Sequence, residues 1–150
     1  GQLLSGDKPT KETFLHQSVY RARQQAGAVI HLHATHSVAL SCLPVTNADD
    51  ALPKLTAYAH MQCGCVAIVP YFKPGDAALA AAVEQKACKH WSMILAHHGP
   101  VVAGKTLTAA MHATEELEQT AKLALMLDQK YPMTLTQAQI DDLDATFPPW

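Results

Sequence analysis

Two pairs of histidines give this sequence its clearest potential for chemistry. His31 and His33 lie two residues apart in one apolar run, and His97 and His98 follow a second apolar run. On a β-strand, side chains two residues apart leave the same face, with Cα atoms about 6.6 Å apart. That spacing lets two imidazoles bind one metal ion at about 2.0–2.1 Å each, with His97 or His98 as the third ligand. Three protein ligands and one open position are typical of a catalytic zinc site.

The same histidines have a second interpretation, as half-buried side chains that are hydrogen-bonded to backbone carbonyls. An isolated His-x-His pattern favours this structural role. A second histidine pair at the end of another strand favours the metal site instead, because sheet proteins place reactive groups at strand-to-loop exits. The residues alone leave both interpretations open.

Further candidates lie where the first helix is predicted to begin. Glu12 either complements the positive end of the helix or serves as a general acid/base beside the metal. Thr10 and Lys11 combine free backbone N–H groups with a cation, which suits a phosphate but also describes an ordinary solvated cap. Tyr58 and Tyr71 are each either packing residues or catalysts.

These residues must be positioned by helices that alternate with strands. A helix is predicted from Thr10, as its N-cap, to about Gln24. Buried strands are predicted over 28–33, 65–69 and 91–96, with a short one at 101–102. Further helices are predicted over 37–43, 55–62, 77–89 with Asp76 as N-cap, 107–128, and from Thr136, which has capping-box spacing with Gln139. The alternation favours an α/β layered fold with a central sheet.

Composition is consistent with one domain spanning residues 1–150 and excludes several kinds of partner. The chain is 49% hydrophobic but only 16% charged, below the roughly 25% charged residues of typical domains, so we expect a homo-oligomer that buries part of its surface. The 11 Lys and Arg residues nearly balance the 13 Asp and Glu residues. Without a basic stripe, neither nucleic acid nor an anionic membrane is an expected partner.

The sequence also predicts a cytoplasmic location. No apolar run approaches the roughly 18 residues of a membrane span, and residues 1–15 do not resemble a signal peptide. The four cysteines form no Cys-x-x-Cys pair, which is typical of reduced thiols. Cys63 and Cys65 are interpreted as two small buried residues rather than as ligands of a soft metal.

Three separated motifs resemble the class II aldolase/adducin family. They are Pro9-Thr10-Lys11-Glu12 with His16, His31-Leu32-His33-Ala34-Thr35-His36-Ser37, and Ala96-His97-His98-Gly99-Pro100. Within the family, segments 5–12, 69–76 and 115–118 most resemble the 3-oxo-tetronate 4-phosphate decarboxylases. The resemblance extends from about Ser5 to Ile140, in order and with few gaps.

The resemblance implies a fold and a metal site. The fold is a class II aldolase-like layered α/β fold, whose central sheet is mostly antiparallel or mixed and is flanked by helices. By position, His31, His33 and His98 become ligands of zinc or of another divalent metal. Glu12 becomes the catalytic acid/base, and His97 is then not a ligand.

The resemblance also implies a substrate and an assembly. Thr10 and Lys11 fall where the family contacts substrate phosphate. Tyr58 falls where aldolases of the family present a tyrosine to the neighbouring subunit's site, which implies a tetramer with active sites at its interfaces. Family members usually carry an N-terminal segment that adds phosphate-binding residues. This chain lacks that segment, so we expect either a fragment or an incomplete phosphate site. Gln62 stands where close relatives often have a lysine.

The function implied is zinc-dependent decarboxylation of a sugar-acid phosphate. A 3-oxo-tetronate 4-phosphate would yield dihydroxyacetone phosphate and carbon dioxide through a metal-stabilised enediolate. An alternative is a class II sugar-phosphate aldolase or 4-epimerase, for example one like L-fuculose-phosphate aldolase, which shares this type of intermediate. A third possibility is a non-catalytic adducin-like module. Adducin-type domains lack the metal ligands, so the three histidines argue against it.

Overall fold

A four-stranded sheet lies at the centre of the protein, which a computed structural model describes over residues 2–73 and 75–150. Its strands are β1 (Ala28–His31), β2 (Ala67–Val69), β3 (Ser92–Leu95) and β4 (Gly99–Gly104). Their order is β1-β4-β3-β2; β4 is antiparallel to both neighbours, and β2 is parallel to β3. This mixed sheet confirms the predicted fold class.

Helices pack on both faces of the sheet. In the described residues they are α1 (Thr13–Ala22), α2 (Thr35–Ser41), α3 (Ala57–Cys63), α4 (Ala77–Ala87), α5 (Leu107–Leu127) and α6 (Gln137–Thr146). None of them combines the length and the apolar composition that crossing a membrane requires. Gly1, in the predicted domain, and Pro74, in one of the resembling segments, lie outside the described residues.

The central strand β3 shows how the layers are built. Met93 and Leu95 pack in a core cluster with residues of α1 and α4, whereas Ile94 packs in a second cluster with residues of α2, α3 and α5. Side chains alternate between the two faces of a strand, so a strand covered on both faces is apolar throughout. This arrangement explains the continuous apolar run from which the strand was predicted.

Two predicted boundaries near the histidines are wrong. β1 ends at His31, and α2 begins at Thr35, so His33 lies in the connecting loop rather than on the strand. The helix predicted to start at Thr10 begins at Thr13, with Glu12 in the N-cap position and no side-chain capping bond. The Thr10 hydroxyl oxygen instead accepts a hydrogen bond from the Glu12 backbone N–H at 2.9 Å. This local bond holds the turn before the helix rather than its first turn.

Other local predictions are confirmed, except for the burial of Cys65. The Asp76 side chain caps α4 by accepting from the Ala78 N–H, and Thr136 and Gln139 form a capping box at the start of α6. All four cysteines are free thiols. Cys63 is buried as predicted, but Cys65 is exposed, because it lies in the connection between α3 and β2 rather than within a strand.

Candidate metal centre

Four side chains from separate parts of the chain converge where β1 ends. Glu12 immediately precedes α1, His31 is the last residue of β1, His33 lies in the loop to α2, and His98 lies in the turn between β3 and β4. One potential ligand atom from each of the four lies within 4.8 Å of the other three. The structure therefore brings together the three histidines and the glutamate that were predicted to act together.

The spacing of these atoms suits a single ion. The Nε2 atoms of His33 and His98 are 3.0 Å apart. The two carboxylate oxygens of Glu12 lie 3.5 Å from Nε2 of His98 and 3.8 Å from Nε2 of His31. Tetrahedral nitrogen ligands at about 2.0–2.1 Å from a zinc ion lie about 3.3 Å from one another. Small shifts of the rings are enough to place an ion among them.

The imidazole of His31 is oriented by a hydrogen bond outside the cluster. Its Nδ1 lies 2.8 Å from the carbonyl oxygen of Pro100, which only accepts, so Nδ1 carries the proton and Nε2 keeps a lone pair. Nε2 is buried and makes no hydrogen bond within residues 2–73 and 75–150. A buried polar atom of this kind is costly unless something binds it, and a metal ion is a suitable partner.

Burial favours the neutral rings that metal binding needs. It holds the pKa of His31 below its ordinary value despite the hydrogen bond to Pro100. Burial also lowers the pKa of His98, with further contributions from the neighbouring His33 and from the positive charge of Lys11. Because a protonated imidazole has no lone pair to donate, these effects prepare the site for a cation.

A tight turn places His98. Residues 96–98 connect β3 to β4, and the His98 N–H donates to the Leu95 carbonyl at 3.0 Å. His97 has a φ of 58° and donates its backbone N–H to the hydroxyl of Ser41 at 3.0 Å. The left-handed conformation at His97 reverses the chain so that the next side chain meets the other ligands. His97 itself lies outside the four-residue cluster and contacts the ring of Tyr71, as expected for a non-ligand.

Gly99 allows the segments that carry His33 and His98 to approach each other. A Cβ atom at this position would overlap the carbonyl oxygen of Leu32 and crowd the Cα atom of His33. The absence of a side chain therefore brings the loop of His33 against the turn of His98.

The remaining predicted site residues divide into two groups. Thr10 and Lys11 lie in the turn that leads to Glu12, and Lys11 directly precedes this member of the cluster. Tyr58 lies on α3, with 67% of its surface exposed, beside a depression lined by α5 residues such as His112 and Glu115. The residues that line this depression with Tyr58 do not include any of the four clustered side chains.

Two further residues, His16 and Ser41, lie beside the segments that carry the cluster. His16 lies one turn after Glu12, and burial, together with the charge of His31, lowers its pKa. Its place in a motif was noticed from the sequence, but no role was predicted. Ser41, which holds the His97 N–H, was missed, because an isolated serine at the end of a helix carries no signal of a partner 56 residues away.

The sequence matches a family described as Class II Aldolase and Adducin N-terminal domain over residues 1–125. The chain belongs to the class II aldolase and adducin family. A curated relative, 3-oxo-tetronate 4-phosphate decarboxylase of Pectobacterium atrosepticum, is 44% identical over 143 residues, which cover 95% of this chain and 66% of the relative. The chain thus spans about two thirds of the length of the curated relatives it matches.

A second curated relative and a solved structure are also similar to this chain. L-fuculose phosphate aldolase of Methanococcus maripaludis is 36% identical over 128 residues, covering 85% of this chain and 66% of the relative. The crystal structure of YgbL from Escherichia coli, described as a candidate aldolase, epimerase or decarboxylase, superposes with a TM-score of 0.91. It is 40% identical and covers 95% of this chain and 69% of that one. These similarities agree with the fold inferred from the residues.

Proposed function

We propose that this protein releases carbon dioxide from a 3-oxo-tetronate 4-phosphate and leaves dihydroxyacetone phosphate. The observation that carries the proposal is the convergence of three imidazoles and one carboxylate within 4.8 Å. The decarboxylase name of the 44% identical relative supports this choice of substrate. The activity is assigned to the cytoplasm, where the free cysteines stay reduced.

The donor set fits a resident divalent metal ion, and we propose zinc. His31, His33 and His98 would hold it, because three imidazoles with an open position suit catalytic zinc and the buried Nε2 of His31 makes no hydrogen bond among the described residues. Bound there, the cation supplies Lewis acidity, which stabilises negative charge that develops on substrate oxygens.

Glu12 is proposed to control the proton. Decarboxylation breaks the bond between C1 and C2, leaves the electron pair on the remaining three-carbon fragment and requires a proton at C2. The carboxyl group of Glu12 lies 3.5 Å from Nε2 of His98 and belongs to a partly buried side chain. Glu12 would take up one proton from solvent and then donate it to C2, which returns the side chain to its carboxylate form. General acid–base assistance of this kind contributes about 10²–10⁴-fold to a rate.

Lys11 and Thr10 are proposed to bind the phosphate. Lys11, the residue before Glu12, contributes a cation. The Thr10 hydroxyl oxygen accepts the Glu12 N–H, which leaves the hydroxyl hydrogen free to be donated to a phosphate oxygen. Fixing the phosphate would hold the reacting bond in place relative to the histidines and to Glu12.

The test compares two products from two substrates. Carbon dioxide release from a 3-oxo-tetronate 4-phosphate is measured beside aldehyde release from a pentulose or deoxyhexulose phosphate, with the metal content of the same preparation. We expect carbon dioxide from the first substrate and little aldehyde from the second. The His33→Ala variant should lose both zinc and turnover while thermal unfolding shows that it remains folded. Full turnover by metal-free His33→Ala would contradict the proposal.

The aldolase or 4-epimerase is the second candidate, because a 36% identical relative carries an aldolase name. Aldehyde release without carbon dioxide would favour it. A non-catalytic adducin-like role is disfavoured by the three clustered histidines. A zinc content near zero, with neither product formed, would revive it.

We also propose a homotetramer whose active sites include Tyr58 from a neighbouring subunit. Tyr58 is exposed beside a depression lined by α3 and α5 residues that are not in the cluster, which suits a residue that acts across an interface.

A further inference from the structure

Helix α2, which follows the loop of His33, receives no capping bond from its own N-cap residue. Ala34 occupies that position, and its side chain cannot accept a hydrogen bond. The acceptor comes from α5 instead: Glu118 takes the backbone N–H of His36 at 2.8 Å and that of Ser37 at 2.9 Å. A carboxylate 82 residues away in sequence therefore accepts the N–H groups that an N-cap side chain would otherwise accept.

Glu118 also binds the side chains of the same two residues. The hydroxyl of Ser37 donates to one carboxylate oxygen at 2.8 Å, and Nδ1 of His36 lies 2.8 Å from the other. With both oxygens engaged twice, the carboxylate fixes the position and rotation of the first turn of α2 relative to α5.

The other end of α2 is connected to the second ligand-bearing segment. Ser41, the last residue of the helix, accepts the backbone N–H of His97, next to His98. At the other end of the helix, only Ala34 separates His33 from Thr35, the first residue of α2. The short helix thus spans the distance between the His33 loop and the His98 turn, and Glu118 holds it to the longest helix of the protein.

We propose that Glu118 is a positioning residue for the metal centre: by anchoring the first turn of α2, it sets the place of His33 relative to His98. The inference rests on the proposed metal-dependent function, because it assigns a role toward the bound cation. Glu118 lies outside the four-residue cluster, so we assign it a role in positioning and not as a ligand.

The experiment measures metal affinity directly. Metal-free protein is titrated with Co²⁺ alone, and the visible absorption of the bound ion reports both the dissociation constant and the ligand geometry. Glu118→Gln preserves the size of the side chain but replaces one acceptor oxygen with a donor that faces N–H groups. We expect Co²⁺ to bind about tenfold more weakly, with a changed absorption band, as is typical when an outer residue that orients ligands is removed.

Two control variants separate positioning from general destabilisation. Glu115→Gln makes the same chemical change at an exposed position three residues earlier on α5. Thr106→Ala removes the side chain that caps α5 by accepting from the Ala109 N–H, and so destabilises a helix without touching the contacts of Glu118. Both should bind Co²⁺ as the unmodified protein does, at a temperature where thermal unfolding shows every variant folded.

Each outcome decides the question. Unchanged Co²⁺ affinity in Glu118→Gln would overturn the inference, while leaving the proposed decarboxylation intact. An equal loss in Thr106→Ala would also overturn it, since affinity would then follow stability alone. If the unmodified protein fails to bind Co²⁺, the proposed metal centre itself is wrong, and that result is distinct from the other two.

Discussion

His31 shows how a single hydrogen bond prepares a side chain for metal binding. The Pro100 carbonyl fixes the proton on Nδ1, so the buried Nε2 faces the other ligands with a free lone pair. Ligating histidines commonly donate their second N–H to a carbonyl or carboxylate, which orients the ring and raises its basicity. The backbone of β4 thus contributes to the centre although none of its side chains belongs to the four-residue cluster.

The role of Glu12 leads to a prediction about catalysis without metal loss. Glu12→Gln keeps the shape of the side chain but removes its ability to exchange a proton. We expect zinc content close to that of the unmodified protein and turnover reduced by about 10²–10⁴-fold. The measurement is metal analysis and carbon dioxide release on the same sample.

Glu84→Gln is the matched control for this prediction. Glu84 lies on α4 and pairs with Arg21 at the surface, where such pairs contribute little stability. It should retain both zinc and turnover. Unchanged turnover in Glu12→Gln would remove Glu12 from the proposed proton transfer.

Sequence reasoning predicted the four clustered side chains but not the residues that hold their segments in place. The types and spacing of His31, His33 and His98, together with the family motifs, were enough to predict the cluster. The contributions of Ser41 and Glu118 depend on partners 56 and 82 residues away. Neither contact leaves a pattern along the chain, because each is created only when the helices pack.

Two connections bring His33 and His98 to the end of β1, where His31 lies, and Glu12 joins them from the start of α1. Residues 32–34 join β1 to α2, and residues 96–98 join β3 to β4. Since β1 and β4 pair antiparallel with His31 opposite Val101, both connections lie at the same end of the sheet. Periodicity predicted the strands themselves well, but it extended β1 to His33, because an apolar run does not reveal where the next helix forces the chain to leave the sheet.

The close approach at Gly99 gives a prediction about these two connections. Gly99→Ala places a methyl group where the Leu32 carbonyl oxygen now lies, so the His33 loop must move away from the His98 turn. Overpacking of this kind costs about 1–3 kcal/mol. We expect a lower melting temperature and weaker Co²⁺ binding than in the unmodified protein, measured by thermal unfolding and by cobalt titration. Normal Co²⁺ affinity in the folded variant would show that the spacing of the two segments is set elsewhere.

At the scale of the whole molecule, Glu118 couples stability to pH. Burial alone would raise the pKa of this carboxyl, but hydrogen bonds from the N–H groups of His36 and Ser37, and from their side chains, outweigh it and lower the pKa below its ordinary value. The stabilising contribution is therefore complete above the unfolded-state pKa of about 4.3 and is lost as the pH falls through the lower folded-state value.

Urea unfolding of the unmodified protein and of Glu118→Gln across a pH series tests this coupling. The unmodified protein should be more stable by about 2 kcal/mol near neutral pH, the scale of hydrogen bonds to a charged group. The difference in the free energy of unfolding between the two proteins should decrease only as the pH falls below about 4.3. The ionisable side chain of His36 is hydrogen-bonded to Glu118. To remove its contribution, the two proteins are compared again after His36→Ala has been introduced into both, that is, His36→Ala alone against His36→Ala with Glu118→Gln. A difference independent of pH would show that the carboxylate charge contributes nothing.

The proposed assembly can be tested by mixing variants, because the proposed site needs residues from two subunits. Tyr58→Phe and Glu12→Gln should each give a protein of low activity. When the two variants are mixed, unfolded and refolded together, a site formed by Glu12 of one subunit and Tyr58 of another is intact in about one quarter of cases under random assembly. Carbon dioxide release should then recover to about one quarter of the unmodified level. If Tyr58 instead served its own subunit's site, each site would carry one of the two substitutions whatever the mixing, and activity would stay at the level of the parent variants. The experiment therefore separates an interface residue from a local one without requiring the number of subunits to be known.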